Sequence, residues 1–489
     1  MIGLKKLEQA AAQIQDWIVK TPMVHSPVLS RMFGGDVYLK LENLQKTGSF
    51  KIRGASYKLL KRANDIGPAG VVAASAGNHA QGLALAAKQL DIPATIVMPE
   101  WVSISKEQAT RMYGGQVVIS GQSIGECLDE AQRLSLEGRL FIHPFDDEDV
   151  ITGQGTAGLE IFDDMPDADV VVAPVGGGGL ISGIAAVAKA MAPDTQVIGV
   201  QTAGCPSAYD AVMKGCITQV DGKSSIADGI SVRKVGQLTF DIIQKCVDEL
   251  VLIEEEQIAA AILMLLEREK ILAEGAGAAP LAAVMNGSVG IPQGGKTVLV
   301  ISGGNVDSPL LGRIISQGLI KSGRVMRIRV RMADVPGALA RLLVLVADLK
   351  ANVLHIYHDR NVRGIPLYVT HVELELETRG PTHLKKIETA LLAAGLTGGL
   401  GGCPYAPGAT GNVATEAVVE ALGLDEARSW LLELKAEIAE QGGIHADGDI
   451  SGFGAIAYSG HDIDEALQGA DAAWLPSTWA LDALWPHLG

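Results

Sequence analysis

The chain has 489 residues, of which 48% are hydrophobic and 20% charged, a composition typical of a globular protein with about three domains. Its net charge of −16 disfavours nucleic acid as a partner, and no apolar run reaches the roughly 18 residues that span a bilayer, so no membrane contact is expected. The charged, amphipathic N-terminus does not have the pattern of a signal peptide. The scattered cysteines show no metal-ligand spacing and indicate reduced thiols in a cytoplasmic protein: Cys127, Cys205, Cys216, Cys246 and Cys403.

Short apolar runs alternate with helical patterns as far as about residue 310. Residues 1–35 favour helices, and a first strand is predicted at 36–41. Further runs rich in Val and Ile are bounded by Gly or Pro, at 71–74, 94–98, 116–119, 170–173, 196–200 and 297–301. Continuous apolar strands of this kind are buried on both faces. They predict an α/β fold with open parallel sheets.

Lys51 occupies an unusual place for a cation. The segment 52–63 predicts a helix whose solvent-facing side includes Lys58, and residues 47–49 supply the turn before it. Lys51 and Arg53 then fall in the first turn, where the helix dipole disfavours positive charge by about 0.3–1 kcal/mol each. The same dipole and partial burial would lower the pKa of an amine, as a Schiff-base lysine requires. Lys51 is therefore a candidate functional residue, with a solvated surface cation as the alternative.

Three turns that follow predicted strands are built from small residues. The segment 75–82 precedes a helix at 83–89 and offers backbone N–H groups to a carboxylate or a phosphate, with an ordinary helix cap as the alternative. Four successive glycines at 176–179 suit a phosphate, and their spacing is neither a dinucleotide-binding nor a Walker motif. The third turn is 301–307. Together these turns predict a cofactor crevice at the carboxyl ends of the strands.

The pattern changes near residue 325. Alternating apolar and basic residues predict a half-buried strand at 325–332, followed by a helix that ends near 349. Strands at 352–358 and 367–376 and a helix at 383–394 complete a β-α-β-β-α order, which is a ferredoxin-like half with one strand still to come. The segment 396–411 is rich in Gly and Pro, and the residues from 401 onward are strongly acidic.

The motifs from Lys51 to the third turn closely resemble those of the fold-type II pyridoxal-phosphate enzymes, specifically the threonine and serine dehydratases. The resemblance covers about residues 5–322. It implies a two-lobed catalytic domain at 1–322, similar to the tryptophan synthase β chain, with a smaller lobe inserted at about 40–150. It also implies pyridoxal 5′-phosphate as the cofactor.

The same resemblance implies a role for individual residues. Lys51 would bind the cofactor covalently and later move the Cα proton, and Asn78 would hydrogen-bond the cofactor 3′-hydroxyl. Ser302 would face the pyridine nitrogen, with Glu274 near the ring. The implied set comprises catalytic Lys51 and Ser75; cofactor-binding Lys51, Phe50, Asn78, Gly176, Gly177, Gly178, Gly179, Leu180, Glu274 and Ser302; and substrate-binding Ser75, Ala76, Gly77, Asn78 and His79.

The implied substrate is a small amino acid with a β-hydroxyl. A neutral Ser302 does not enforce a pyridinium, so loss of the hydroxyl is favoured over transamination. L-Threonine would give 2-oxobutanoate and ammonia, and L-serine pyruvate; a serine dehydratase or another lyase of this fold is the alternative. Ala76 stands where the related serine racemases carry a second hydroxyl, which argues against racemisation. Gln201, with Cys205 and Ser207, replaces their cation ligands, so no metal is expected.

Residues 325–396 resemble an ACT domain, with Asp334, Pro336, Gly337 and Leu339 in the loop that opens its first helix. The resemblance implies an amino-acid or nucleotide effector and a homo-oligomer, either a dimer or a tetramer. A purely dimerising module is one alternative. A chain that only senses amino acids is another, and Lys51 argues against it because a sensor needs no Schiff-base lysine.

The segment 398–416 resembles the glycine-rich loop of 3-hydroxy-3-methylglutaryl-CoA lyases. In that family the equivalent of Cys403 is catalytic and the equivalent of Asn412 binds a metal. The barrel that carries the other ligands has no counterpart in this sequence, so a fusion or an assembly artefact is the better explanation. We expect the acidic extension 397–489 to be poorly ordered or vestigial.

Overall fold

The computed structural model describes residues 2–360, 368–394 and 396, together with two short strands further on. The chain divides into two compact units, Met1–Ile315 and Ser316–Gly489. Within the described ranges, no helix combines the length and the apolar character that crossing a membrane requires. Apart from the two short strands, the extension 397–489 lies outside the described residues.

The larger lobe of the first unit is built on a six-stranded sheet in the order β1-β2-β10-β7-β8-β9. Its strands are β1 Met23–His25, β2 Asp36–Leu41, β7 Val170–Pro174, β8 Gln196–Thr202, β9 Glu249–Ile253 and β10 Lys296–Ile301. All neighbours pair in parallel except β1, which pairs antiparallel with β2. The helical prediction for 1–35 is wrong at this edge strand, because three residues are too short to show a period and their conformation depends on pairing with β2.

The smaller lobe holds a four-stranded parallel sheet in the order β5-β4-β3-β6. Its strands are β3 Val71–Ala74, β4 Ala94–Met98, β5 Gln116–Ile119 and β6 Leu140–Phe141. The first three have the predicted bounds. The predicted α/β class with open parallel sheets is confirmed.

Strands β3, β4 and β7 are covered on both faces, which explains their continuous apolar sequences. Along β7, Val172 packs in one buried cluster and Val171 in the cluster on the other side of the sheet. The helices in the described part of the chain are α1 Leu4–Ile14, α2 Pro27–Phe33, α3 Lys51–Lys61, α4 Asn78–Gln89, α5 Ile104–Met112, α6 Ile124–Ser135, α7 Glu148–Asp164, α8 Gly179–Met191, α9 Ser207–Lys214, α10 Gln237–Cys246, α11 Glu255–Met264, α12 Gly275–Met285, α13 Ser308–Lys321, α14 Ala338–Asp348 and α15 Pro381–Ala393. Single 3₁₀ turns lie at Glu42–Leu44, Ala63–Asp65 and Asp228–Ile230, and a π turn at Leu265–Glu269.

The second unit contains a three-stranded antiparallel sheet in the order β11-β13-β12. Its strands are β11 Val325–Ala333, β12 Asn352–Asp359 and β13 Val369–Glu377. Ile328, Leu342, Leu374 and Ile387 from the sheet and from α14 and α15 form its core. The observed element order equals the predicted β-α-β-β-α order. The segment where the missing strand is expected lies outside the described residues, and the strands β14 Phe453–Ala455 and β15 Trp474–Pro476 pair antiparallel.

Candidate active site

Lys51 is the first residue of α3, and its amine lies against the loop that follows β6. Nζ donates a hydrogen bond to the carbonyl oxygen of Pro144 over 2.8 Å and lies 5.2 Å from the centre of the Phe50 ring. Withdrawal from water lowers the pKa of the amine to about 8, although the nearby Glu274 carboxyl opposes the shift. Half of the amine is therefore uncharged near pH 8, and only the uncharged form is a nucleophile.

Main-chain contacts fix the position of Lys51. The carbonyl of Ser302, which follows β10 and is 1% exposed, accepts a hydrogen bond from the Phe50 N–H over 3.1 Å. One residue further out, Ser49 and Gly303 form an isolated antiparallel bridge. The start of α3 is thus attached to the carboxyl end of a central strand, where the sequence predicts the cofactor crevice.

Asn78 begins α4 and connects three segments. Its Nδ2 donates to Glu274 Oε1 over 2.6 Å, and its Oδ1 accepts from Asn305 Nδ2 over 2.8 Å. Asn305 also donates to the Thr47 carbonyl over 2.8 Å, which joins the turn after β10 to the turn before α3. An amide nitrogen carries two hydrogens, so Asn78 keeps one for a further acceptor. Asn305 is not among the predicted site residues, although it lies in the third small-residue turn.

Glu274 immediately precedes α12 and is 4% exposed. Burial, followed by the negative charge of Asp228, raises the pKa of the Glu274 carboxyl to about 8. The hydrogen bond from Asn78 and the charges of Lys106 and Lys51 oppose this shift without reversing it. The carboxyl is therefore mostly protonated at neutral pH and has an O–H that can be donated.

Of the four glycines at 176–179, the first three lie in the turn between β7 and α8, and Gly179 is the first residue of α8. Gly178 has a φ of +93°, a left-handed conformation that favours glycine. A Cβ on Gly177 would overlap the Phe145 ring, so the backbone approaches this ring more closely than any side chain allows. The turn leads into the N-terminus of the 13-residue α8, whose first N–H groups have no partners within the helix. Such a turn can bind an anion, and the buried Leu180 anchors it from within.

Ser75 follows β3 and organises the first small-residue turn. Its hydroxyl accepts hydrogen bonds from the backbone N–H groups of Gly77 and Ala80, each over 3.3 Å. Ser75, Ala76 and Gly77 are half-buried. The turn therefore lies at the N-terminus of α4, which begins at Asn78 rather than at the predicted residue 83.

Two histidines near Lys51 are uncharged. His79 is buried, and its Nε2 lies 3.3 Å from the carbonyl oxygen of Ile142. Burial, reinforced by the charge of Lys51, lowers the pKa of His79 to about 3, so the neutral ring donates to this carbonyl. Burial also lowers the pKa of His143, whose Nδ1 accepts from the Asp146 N–H over 2.8 Å. Neither ring adds positive charge to the site at neutral pH.

The loop 142–147, between β6 and α7, contributes site residues that the sequence analysis misses. Pro144 accepts the hydrogen bond from Lys51, and Phe145 lies against the glycine turn. Asp146 accepts hydrogen bonds from the three N–H groups at 237–239, at the start of α10. The loop thus connects the amine to the glycine turn. Its only sequence signal is a short run with His, Pro and Phe between a two-residue strand and a helix.

Two cations of α3, Arg53 and Lys58, are buried. The sequence prediction considered this helix without its neighbours and is wrong in placing Lys58 on the solvent-facing side. Arg53 is fully buried and donates to both carboxylate oxygens of Glu42, each over 2.7 Å, and to those of Glu160 over 2.6 and 2.8 Å. Lys58, predicted to face solvent, is 6% exposed and pairs with Asp147 over 2.6 Å. Of these carboxylates, Glu160 lies on α7 and Asp147 directly precedes it, whereas Glu42 follows β2. Because these partners come from outside α3, the helix dipole no longer decides the placement of the cations.

Gln201 lies in β8. It is the residue that, by the sequence prediction, replaces a metal ligand of the related racemases. Its Oε1 accepts hydrogen bonds from the N–H groups of Ala208 and Tyr209 over 3.0 and 3.1 Å, and Nε2 lies 3.4 Å from Ser207 Oγ. The amide therefore holds the start of α9. In the part of the chain that the structure describes, no group of three His, Cys, Asp or Glu residues is arranged to hold a metal.

Comparisons with known proteins agree with this geometry. The family model described as pyridoxal-phosphate dependent enzyme matches residues 14–303. The L-threonine ammonia-lyase of Thermotoga maritima is 50% identical over 396 residues, which cover 81% of this chain and 98% of that protein. The L-threonine ammonia-lyase of Geobacter sulfurreducens is 45% identical over the same length and coverage.

Solved structures give the same fold. The T.th. threonine deaminase has a TM-score of 0.59 and 40% identity, and the match covers 63% of this chain and 99% of that one. Maize serine racemase has a TM-score of 0.61 and 33% identity, and the match covers 65% of this chain and 98% of that one.

Proposed function

The chain belongs to the family of pyridoxal-phosphate-dependent enzymes, and we propose that it is an ammonia-lyase that acts on L-threonine and also on L-serine. The products are 2-oxobutanoate from threonine or pyruvate from serine, with ammonia in both cases. The observation that carries this proposal is the 50% identity to an L-threonine ammonia-lyase across 98% of that protein. Pyridoxal phosphate is the cofactor.

The residues present fit this cofactor. The glycine turn at 176–179 and the N-terminus of α8 supply N–H groups for its phosphate, because only glycine leaves space beside Phe145. The amine of Lys51, with its lowered pKa, suits the aldehyde. When bound, the cofactor supplies the electron sink that weakens the bonds at Cα of the amino acid. The free N–H of Asn78 is proposed for the cofactor 3′-hydroxyl, and Ser302 for its ring nitrogen.

The side chains of this site have distinct roles in the proposed reaction. Lys51 would take the proton from Cα of the substrate, and burial favours the uncharged amine that accepts it. The turn from Ser75 to His79 binds the substrate carboxylate through N–H groups at the start of α4. Glu274 holds Asn78 in place and keeps its own proton at neutral pH.

Ala76 bears on the choice between elimination and racemisation. A racemase needs a second acid on the opposite face of the substrate from the lysine, and the alanine side chain carries no proton to give. We therefore propose elimination rather than racemisation. A serine dehydratase, or another lyase that acts on hydroxyamino acids, remains the second candidate because threonine and serine differ by one methyl group, worth only about 1–3 kcal/mol in a pocket.

The lysine and the substrate are tested with two variants of α3. Wild-type protein mixed with pyridoxal phosphate is expected to gain the visible absorbance of the lysine-bound cofactor and to release 2-oxobutanoate from threonine. Lys51→Ala should lose both, whereas Lys61→Ala, an exposed lysine on the same helix, should lose neither. A wild-type protein that stays colourless contradicts the proposal, and faster release of pyruvate from serine favours the second candidate.

For the second unit we propose an ACT-like regulatory domain at 325–396, following a catalytic domain at 1–322. A cavity of about 280 Å³ lies beside the start of α14 and is lined by Asp334, Gly337, His358 and Arg360. Arg360 pairs with Asp334 over 3.0 Å, and His358 Nε2 is buried without a hydrogen-bond partner within the described ranges. This supports a small zwitterionic effector such as an amino acid. From the ACT resemblance we also propose that the protein is a dimer or a tetramer. From its sparse cysteines we propose that it is cytoplasmic.

A further inference from the structure

Lys106, on α5 of the smaller lobe, reaches across to the larger lobe. Its Nζ lies 2.5 Å from Asp228 Oδ2 and 3.8 Å from Asp307 Oδ2. Only 17% of the Lys106 side chain is exposed, which is unusual for a lysine on a surface helix. The partner carboxylates come from two separate segments, the 3₁₀ turn Asp228–Ile230 and the turn that follows β10.

The same helix makes a second contact with the larger lobe, through hydroxyl groups. Ser103 and Ser105, at the start of α5, donate hydrogen bonds to Asp307 Oδ1 over 3.1 and 2.5 Å. Asp307 Oδ1 therefore accepts hydrogen bonds from both hydroxyls, while Oδ2 faces Lys106. Asp228 has no such hydroxyl partners in the described residues, so Lys106 is its partner across the lobes.

Asp228 acts directly on the candidate site. Gly229, the next residue, lies so close to α12 that a Cβ on it would be 3.1 Å from the Ala276 Cβ and 3.8 Å from Glu274 Oε1. The charge of Asp228 raises the pKa of Glu274 and that of Lys106 lowers it, while Lys51 is the other cation acting on this carboxyl. Lys106 thus neutralises the anion that most strongly favours the protonated form of Glu274.

An ion pair with an exposed partner contributes little to stability. Asp228 is 58% exposed, so the Lys106–Asp228 pair does not account for the burial of Lys106 through folding energy alone. The effect of these charges on Glu274 is different, because Glu274 is buried and an interaction with a buried group is screened much less than one between exposed groups.

We propose that Lys106 is a positioning residue, which holds the two lobes together at the site and balances the negative charge of Asp228 next to Glu274. The inference rests on the proposed function for the importance of Glu274 in turnover. It goes beyond that function by assigning a role to a residue of the smaller lobe that is not among the residues proposed to contact the substrate or the cofactor.

The test compares Lys106→Met and Asp228→Asn by infrared titration of the Glu274 carboxyl in the full-length protein loaded with pyridoxal phosphate. The carboxylic-acid band of Glu274 is identified by its loss in Glu274→Gln. Lys106→Met should move the midpoint of this titration to higher pH and Asp228→Asn to lower pH, each by roughly half a unit. Lys106→Arg should restore the wild-type midpoint, since it keeps the charge.

Ser105→Ala is the matched control, because it removes a contact between the lobes without changing any charge. Its midpoint should equal that of the wild type. The pH dependence of kcat/KM for threonine should move in the same opposite directions in Lys106→Met and Asp228→Asn. A contact with a merely structural role would lower activity in both variants and move neither profile.

Two outcomes are decisive. If Lys106→Met and Asp228→Asn leave the Glu274 titration at the wild-type midpoint, or move it in the same direction, the inference is wrong. If the midpoint moves as expected but neither threonine nor serine is turned over, the role of Lys106 stands and the proposed function fails.

Discussion

Asn78 and Glu274 are 196 positions apart in the chain, yet the Asn78 amide donates a hydrogen bond to the Glu274 carboxyl over 2.6 Å. The bond joins the first residue of α4 in the smaller lobe to the residue before α12 in the larger lobe. Because Glu274 is buried and mostly protonated at neutral pH, the bond links two neutral groups. It fixes the direction of Asn78 without adding charge to the site.

Asn305 should matter for turnover although it is not expected to touch the substrate. Asn305→Ala removes the donor to Asn78 Oδ1 and to the Thr47 carbonyl, so the Asn78 amide keeps its bond to Glu274 but loses the bond that holds its oxygen. We expect kcat/KM for threonine to fall about 10- to 100-fold while the absorbance of the lysine-bound cofactor is retained. Asn286→Ala, at the exposed end of α12, is the control and should retain wild-type activity. Unchanged kinetics in Asn305→Ala would contradict this role.

The lowered pKa of Lys51 predicts how fast the cofactor-free protein captures pyridoxal phosphate. Only the uncharged amine reacts, so the rate should rise about tenfold per pH unit below pH 8 and level off above it. Stopped-flow absorbance over this range measures the rate. Free Nα-acetyl-lysine under the same conditions corrects for the titration of the cofactor itself and should show a rise that continues to about pH 10. If the protein follows the free amine, Lys51 is not withdrawn from water.

The contact between Gly177 and Phe145 predicts a loss of cofactor affinity in Gly177→Ala. The added methyl group overlaps the Phe145 ring, so the glycine turn must move away from the position that binds a phosphate. We expect the dissociation constant for pyridoxal phosphate to rise roughly tenfold or more, measured by absorbance titration. Gly290→Ala, where no atom lies within 4 Å of the new methyl group, should bind as the wild type does. Equal affinity in both variants would exclude the glycine turn as the phosphate site.

The buried ion network around Arg53 predicts a large loss of stability in Arg53→Met. The substitution leaves the buried Glu42 carboxylate and the half-buried Glu160 carboxylate without their guanidinium partner, and breaking a buried pair in this way typically costs about 3–5 kcal/mol. The measurement is the denaturant midpoint of the cofactor-free protein. Arg133→Met, which breaks only exposed ion pairs on α6, should unfold close to the wild-type midpoint. A similar midpoint for Arg53→Met would show that the network adds nothing to the fold.

The parallel strands were predictable because their signal is local. Strands such as β3 and β4, buried on both faces, need apolar residues at every position, and this requirement is visible in a few letters of sequence. Lys51 was predictable for a related reason, since a cation in the first turn of a helix conflicts with a local rule. In the structure its amine is buried within reach of the Glu274 charge, and the preceding residue, Phe50, donates to the Ser302 carbonyl.

The contacts that complete the site were not predictable, because they depend on residues far apart in the chain. Pro144 is 93 positions from Lys51 and acts through its backbone carbonyl, which carries no sequence signal. Arg53 appears misplaced in α3 alone, and its partner Glu160 lies 107 positions away on α7. Side-chain patterns report the local period of a helix or strand. They do not report which carboxylate or carbonyl the fold brings against it.

The contacts of the loop 142–147 restrict insertions and deletions in this part of the chain. Loops usually tolerate inserted or deleted residues, because their backbone meets water rather than other elements. In this loop Pro144, Phe145, Asp146 and Asp147 contact the lysine, the glycine turn, α10 and Lys58 in succession. Removing or adding one residue would shift all four contacts at once. We therefore expect the protein to tolerate inserted or deleted residues between α9 and α10, for example near the exposed Gly215, more readily than in the loop 142–147.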